Sequence, residues 1–282
     1  MKKIAILFMV FALVGVSAMA QEGLGVYVGA EVGISDFNDD PLPIIIRPYV
    51  GYEAALMDEA VEVVAELGVP ILMVDGEMAI GIDLLLGGKY ILSLSDASKL
   101  AFGLDAYIFF PVDEDKGMAS TLSPAITANV MATELELWVV PNVKFTQTMG
   151  FGDLYFGVAL PLIVVYAGDA LDIILLEFTV GADLEAGIGV GATLCMDFSD
   201  GADALQGVRL FGSYTMDALF AKLSIDIPLV EDGIKFLGLT ITPEVSYTLD
   251  MGLKLYAELP ISGVASDGDI GVGLTVGAKF SF

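Results

Sequence analysis

The side chains available for chemistry are overwhelmingly carboxylates: 38 Asp and Glu stand against 12 Lys and Arg, and there is no histidine. Without an imidazole, a Ser-His-Asp relay and a His-ligated metal site are excluded. Paired carboxylates act as acid and base in glycosidases, but acids this frequent pair by chance, so the chain is read as not an enzyme. Asp113-Glu114-Asp115 offers oxygen ligands, yet no segment has the full calcium-loop spacing, and neither a metal nor a cofactor is expected. In Gly187-Ile188-Gly189-Val190-Gly191 no helix follows, so this is no nucleotide loop, and the glycines read as room for a neighbour's side chain. The single cysteine, Cys195, has no internal disulfide partner and reads as a small filler. A formal charge of −26 excludes nucleic acid as a partner, because phosphate binding needs a basic surface.

The elements that hold these carboxylates must also explain a mean hydropathy of +0.76, which is odd beside so much charge. Met1-Lys2-Lys3, the apolar run from Ile4 to Val16 and Ala18-Met19-Ala20 have the layout of a secretory signal peptide. That run falls short of the ~20 residues a spanning helix needs, and no later stretch is long and uncharged enough to be one. Residues 1–20 are therefore expected to be removed, leaving 21–282 as one domain. Membranes otherwise admit only closed barrels, since every backbone N–H and C=O must pair internally.

The period along residues 21–282 is two. Leu24, Val26, Val28, Ala30, Val32 and Ile34 share one face, and Gly25, Tyr27, Gly29, Glu31 and Gly33 share the other. Fourteen segments alternate in this way: 24–34, 44–54, 61–69, 78–86, 100–110, 135–145, 154–162, 174–182, 186–196, 208–214, 221–227, 237–249, 253–261 and 270–282. No position on their apolar faces is charged, as a bilayer would enforce by a cost of roughly 2 to 4 kcal/mol per midplane charge. The fold expected is an all-β, antiparallel, up-and-down transmembrane barrel of fourteen strands. Merging the nearly unbroken run 176–196 would give twelve, and 122–130 could add a short strand.

An even strand count puts both ends in the periplasm and the longer loops outside. The expected outer loops are 35–43, 70–76, 111–133, 164–171, 198–207, 228–235 and 262–269, most of them acidic. Prolines 70, 111, 161, 228 and 260 fall where outward-running segments end, which suggests a repeated hairpin unit. Tyr52, Phe102, Phe145, Tyr247, Phe280 and Phe282 fall at the predicted periplasmic ends as one aromatic girdle.

Val272, Leu274, Val276, Ala278, Phe280 and Phe282 alternate into an aromatic last residue. This resembles the terminal strand of bacterial outer-membrane barrels. The resemblance implies outer-membrane localisation, a lipid environment, and recognition of Phe280 and Phe282 by the barrel-assembly machinery. In position, the segment 112–133 resembles the loop that folds into the lumen of general porins, and its composition suits either an inward fold or an outer hairpin.

The inward set decides what such a barrel does. Its acids, among them Glu31, Asp83, Asp105, Glu177, Glu244 and Glu258, outnumber its bases, among them Arg47, Lys222 and Lys254. Together with Trp138 and Tyr256 these residues are expected to line the bore. A barrel this wide approaches an aqueous channel, and charges lining it would set ion preference. The expected function is porin-like passive diffusion of small solutes, cations preferred. Two other readings stand beside it: a structural or surface-interaction barrel with a plugged lumen, and a transporter of hydrophobic molecules.

Overall fold

Each alternating segment has one face that must leave water, and segments joined by short turns pair with their chain neighbours. The structure, a computed structural model, describes residues 25–39, 41–57, 59–111, 118–119, 131–132, 136–165, 173–198, 205–229, 238–264 and 270–282. Fourteen antiparallel strands form one closed sheet. In chain order they are β1 Val26–Ile34, β2 Ile44–Leu56, β3 Val61–Gly68 continuing as Ile71–Val74, β4 Glu77–Ser95, and β5 Ser98–Pro111. Next come β6 Glu136–Met149, β7 Gly152–Ala159 continuing as Leu162–Val165, β8 Ile173–Leu184, β9 Ile188–Asp197 and β10 Leu205–Met216. The circuit ends with β11 Leu219–Pro228, β12 Leu239–Thr248, β13 Leu253–Glu258 continuing as Ile261–Val264, and β14 Gly271–Val272 continuing as Leu274–Ser281. Each pairs with its chain neighbours, and β14 closes on β1 with Phe280 opposite Val28 and Val276 opposite Val32.

Both ends of the strand circuit lie at one rim, where the Phe282 N–H donates to the Val26 carbonyl at 3.0 Å. The turns at this rim are short, such as Asp96-Ala97, Gly150-Phe151 and Asp217-Ala218. A turn over 185–187 separates β8 from β9, with Gly187 at φ 75°, so the twelve-strand merger does not form. The proposed extra strand 122–130 and the acidic tripeptide 113–115 lie outside the described residues. Within 112–133, a two-residue ladder pairs Met118–Ala119 with Met131–Ala132.

At the opposite rim one expectation is corrected. Residues 70–76 are not a loop: β3 runs on through Ile71–Val74 and turns into β4 on Asp75-Gly76. Both turn residues have positive φ, 50° and 75°, the geometry of a tight hairpin whose twist matches its strands. Prolines 70, 161 and 260 likewise interrupt strands that continue beyond them. The reason is visible in the ladder. Each still accepts through its carbonyl, from Gly81, Leu175 and Gly273 respectively, at 2.9 Å in each case. The residue before each donates to a second proline on the preceding strand: Val69 to Pro48 at 3.0 Å, Leu160 to Pro141 at 2.9 Å, and Leu259 to Pro243 at 3.0 Å. Only the proline's own donor is lost, and the strand survives it. Pro111 and Pro228 do end their strands.

Burial is inverted relative to a soluble β-protein. Large apolar side chains on the outer face are exposed, including Leu104 (55%), Val180 (52%) and Leu223 (45%), while Asp83 on the inner face is 0% exposed. No outer-face position in the described strands carries a charge.

Candidate functional site

The chemistry of the barrel lies on its inner face, which splits into a tightly paired side and an open side. On β1–β4, Arg47 gathers three carboxylates from three other strands. Its Nε donates to Asp83 Oδ2 at 2.7 Å and its Nη2 to Asp83 Oδ1 at 2.9 Å and Glu66 Oε1 at 2.5 Å. Glu31 Oε2 stands 3.8 Å from Nη1. Three tyrosines complete the cluster. Tyr27 donates to Glu66 Oε2 at 2.8 Å, Tyr256 donates to Glu31 Oε1 at 2.6 Å, and the Tyr49 and Tyr256 hydroxyls are 3.4 Å apart. The guanidinium also lies 5.0 Å over the Tyr49 ring. A planar donor fork satisfied on both edges and one face is a rigid unit, and it ties β1, β2, β3, β4 and β13 together.

Glycine makes this packing possible. The Tyr49 ring lies where a Cβ on Gly29 would be, Tyr27 lies over Gly51, and Tyr256 lies over Gly277 on β14. By crossing a bare stretch of β14, Tyr256 on β13 reaches Glu31 on β1 across the closing seam. The same arrangement recurs with Tyr155 over Gly181 and Phe211 over Gly191.

Around the rest of the wall, cross-strand ion pairs hold most bases. Arg209 makes a two-pronged contact with Asp226 (2.5 and 3.1 Å), Lys89 meets Glu62 at 2.7 Å, and Lys222 meets Glu244 at 3.7 Å. Lys279 stands 3.4 Å from Glu53 and 3.5 Å over the Tyr27 ring, and Lys144 lies 4.0 Å over the Tyr155 ring. Several acids remain unmatched. Glu258 faces Glu244 directly across the ladder, and Asp153 faces Asp183. Among the described residues no cation lies within ion-pair distance of Asp105, Asp153, Asp183 or Glu258.

Toward the long-loop rim the inner face turns apolar. Leu72, Ala79 and Phe109 pack together, and Phe109, Trp138 and Leu175 are each 2% exposed. The buried Trp138 Nε1 has no hydrogen-bond partner among the described residues. Among the described residues no cluster of carboxylate or thiol ligands is placed to hold a metal ion.

No protein-family model and no curated protein matches the sequence. Solved structures do share its architecture. A deltaS2S3 mutant of the monoaromatic hydrocarbon channel TodX superposes with a TM-score of 0.54 at 12% identity, over 91% of this chain and 90% of that one. The fold shared with that channel is a closed antiparallel β-barrel. The outer-membrane channel DcaP of Acinetobacter baumannii gives a TM-score of 0.43 at 12% identity, covering 92% of this chain and 96% of its own. CdiB from the same organism gives 0.46 at 10% identity over 91% of this chain, which spans 60% of the CdiB chain.

In this barrel the residues expected to line the bore all fall on the inner face, but in different settings. Arg47, Asp83 and Trp138 lie beneath other side chains. Glu31 and Tyr256 belong to the arginine cluster, Lys222, Glu244 and Glu258 form a second group on β11–β13, and Lys254 faces Lys279 across the ladder. Asp105 accepts a hydrogen bond from Asn142 at 3.1 Å, and Glu177 faces Cys195 on β9. Phe280 and Phe282 are at the closing seam with rings 4.8 Å apart, edge to face. The sequence reading did not single out Tyr27, Tyr49 or Glu66 as a unit. Their signal was there: Tyr27 shares the parity of Glu31, Tyr49 that of Arg47 and Glu66 that of Glu62 on its own strand, and glycines stand at matching positions on the neighbouring strands. The outer girdle is also fuller than expected, gaining Tyr90 opposite Phe102, Phe156 opposite Phe145, and Tyr214.

Proposed function

We propose that this barrel is a channel in the bacterial outer membrane through which small solutes diffuse passively, with cations preferred. The observation that carries the reading is the surplus of inner-face carboxylates: among the described residues Asp105, Asp153, Asp183 and Glu258 have no cation within ion-pair distance, Asp153 faces Asp183, and Glu258 faces Glu244, whose own partner is Lys222. Facing carboxylates repel, and burying them without water or a counter-ion costs several kcal/mol or forces protonation. A water-filled bore removes that penalty, and it leaves an excess of fixed negative charge to concentrate cations. Residues 1–20 would direct export, and the aromatic end of β14 would be read by the assembly machinery before insertion into lipid.

Purified protein in a planar bilayer under a salt gradient tests this. Stepwise currents with a reversal potential on the cation side are expected; a silent membrane would contradict the channel, and an anion-sided potential would contradict the preference. One observation favours a second reading. Phe109, Trp138 and Leu175 are buried although they sit on the inner face, as in a barrel filled at that height and serving a structural or surface-interaction role. Such a barrel would insert and stay silent.

A further inference from the structure

The wall holds a recess that neither the paired clusters nor the apolar zone uses. A cavity of about 490 Å³ opens on β2–β6 in the half of the barrel nearer the short turns. Its floor is bare because Gly87 and Gly103 meet there, with Gly87 opposite Asp105 and Gly103 opposite Lys89. The glycines are required. A Cβ on Gly87 would run into the Asp105 carboxylate and Val64, and one on Gly103 would run into the Asn142 carboxamide. Without those Cβ atoms, Asp105 and Asn142 lie across the wall and present polar atoms to the cavity, while Val64 and Ala55 supply an apolar side.

The charges around the recess are unequal. Glu62 is matched by Lys89 at 2.7 Å and Glu53 by Lys279 at 3.4 Å, but Asp105 accepts a hydrogen bond only from the neutral Asn142 amide, at 3.1 Å, and feels Lys89 from beyond ion-pair distance. The geometry points to a binding site for a small organic ammonium ion, its charged head on Asp105 and its apolar body on Val64 and the glycine floor. The volume falls within the range of small-molecule sites, and a few polar groups on an apolar lining is their usual chemistry. A bare calcium ion would need six to eight oxygens, more than one carboxylate and one amide supply. An anion would meet three carboxylates for one lysine. The recess is reached through the lumen, so this inference rests on the channel reading.

Phenethylammonium chloride titrated calorimetrically into the micelle-solubilised barrel, with phenethyl alcohol as the uncharged control, tests the site. Saturable binding of the ammonium at least about tenfold tighter than the alcohol is expected, as is a loss of about tenfold or more in Asp105→Asn. Ala55→Trp, which fills the recess from an exposed position, should lose binding as well, so the test does not depend on a single variant. Equal binding of ammonium and alcohol, or binding unchanged in both variants, would overturn the site. Bilayer recordings on the same preparation separate the two readings. Cation-selective currents without phenethylammonium binding overturn the site alone, whereas silent membranes overturn the channel and leave calorimetry to decide the recess.

Discussion

At the scale of single residues, Arg47 is the most consequential side chain on the inner face. It is 3% exposed and holds Asp83, which is fully buried, together with Glu66. Removing one partner of a buried pair leaves the others uncompensated at a cost of roughly 3 to 5 kcal/mol. Arg47→Ala should therefore lower the denaturant midpoint of the purified barrel by a corresponding margin. Arg47→Lys should recover only part of it, because an ammonium cannot bind two Asp83 oxygens and Glu66 in one plane. Glu62→Gln, which breaks the exposed pair with Lys89, should change stability by less than about 1 kcal/mol. The sequence showed that Arg47, Glu31 and Asp83 point inward, since parity alone decides that. It did not show that they meet, because contact depends on register between strands far apart in the chain, and on which neighbour is glycine.

At the scale of elements, strand positions were legible and strand ends were not. Alternation located each of the fourteen strands, because one charged residue on the lipid side would have broken the pattern. Proline misled at the ends: Pro70 looks like a terminator, yet β3 loses one donor there and continues to the Asp75-Gly76 turn. Glycines carry the same ambiguity until their neighbours are known. Gly277 lies under the Tyr256 ring, whereas Gly212, on the outer face, has only the Gly189 carbonyl oxygen, 3.9 Å from the place a Cβ would take. Gly277→Val should therefore displace Tyr256 from Glu31 and cost about 1 to 3 kcal/mol, while Gly212→Val should be close to neutral. Urea titration of both variants in lipid vesicles would check the contrast. Equal effects would mean that the seam contact is not what Gly277 permits.

At the scale of the whole molecule, an excess of carboxylates and a high mean hydropathy are compatible because the sheet closes and separates them. An arginine placed on the outer face, Leu223→Arg, should cost roughly 2 to 4 kcal/mol if that position is near the bilayer centre, measured by reversible unfolding from vesicles. Neutralising the open side of the wall with Asp105→Asn, Glu244→Gln and Glu258→Gln together should move the reversal potential toward zero; an unchanged potential would mean that these carboxylates do not set ion preference. The acidic character of the outer connections was readable from composition, whereas the burial of Phe109, Trp138 and Leu175 on the inner face was not, since inward apolar residues look the same in a wet bore and in a filled one.

The most direct test of the division into a lipid face and a watery interior is cysteine accessibility. In a Cys195→Ala background reconstituted into vesicles, single cysteines replace Glu258 and Val245, positions on opposite faces of β13 and β12. The cysteine at 258 is predicted to react readily with a charged, membrane-impermeant thiol reagent. The cysteine at 245 should resist it, and a fluorophore attached there in detergent should be quenched by brominated lipid chains after reconstitution. Rapid aqueous labelling at 245, together with protection at 258, would contradict the orientation on which every other conclusion depends.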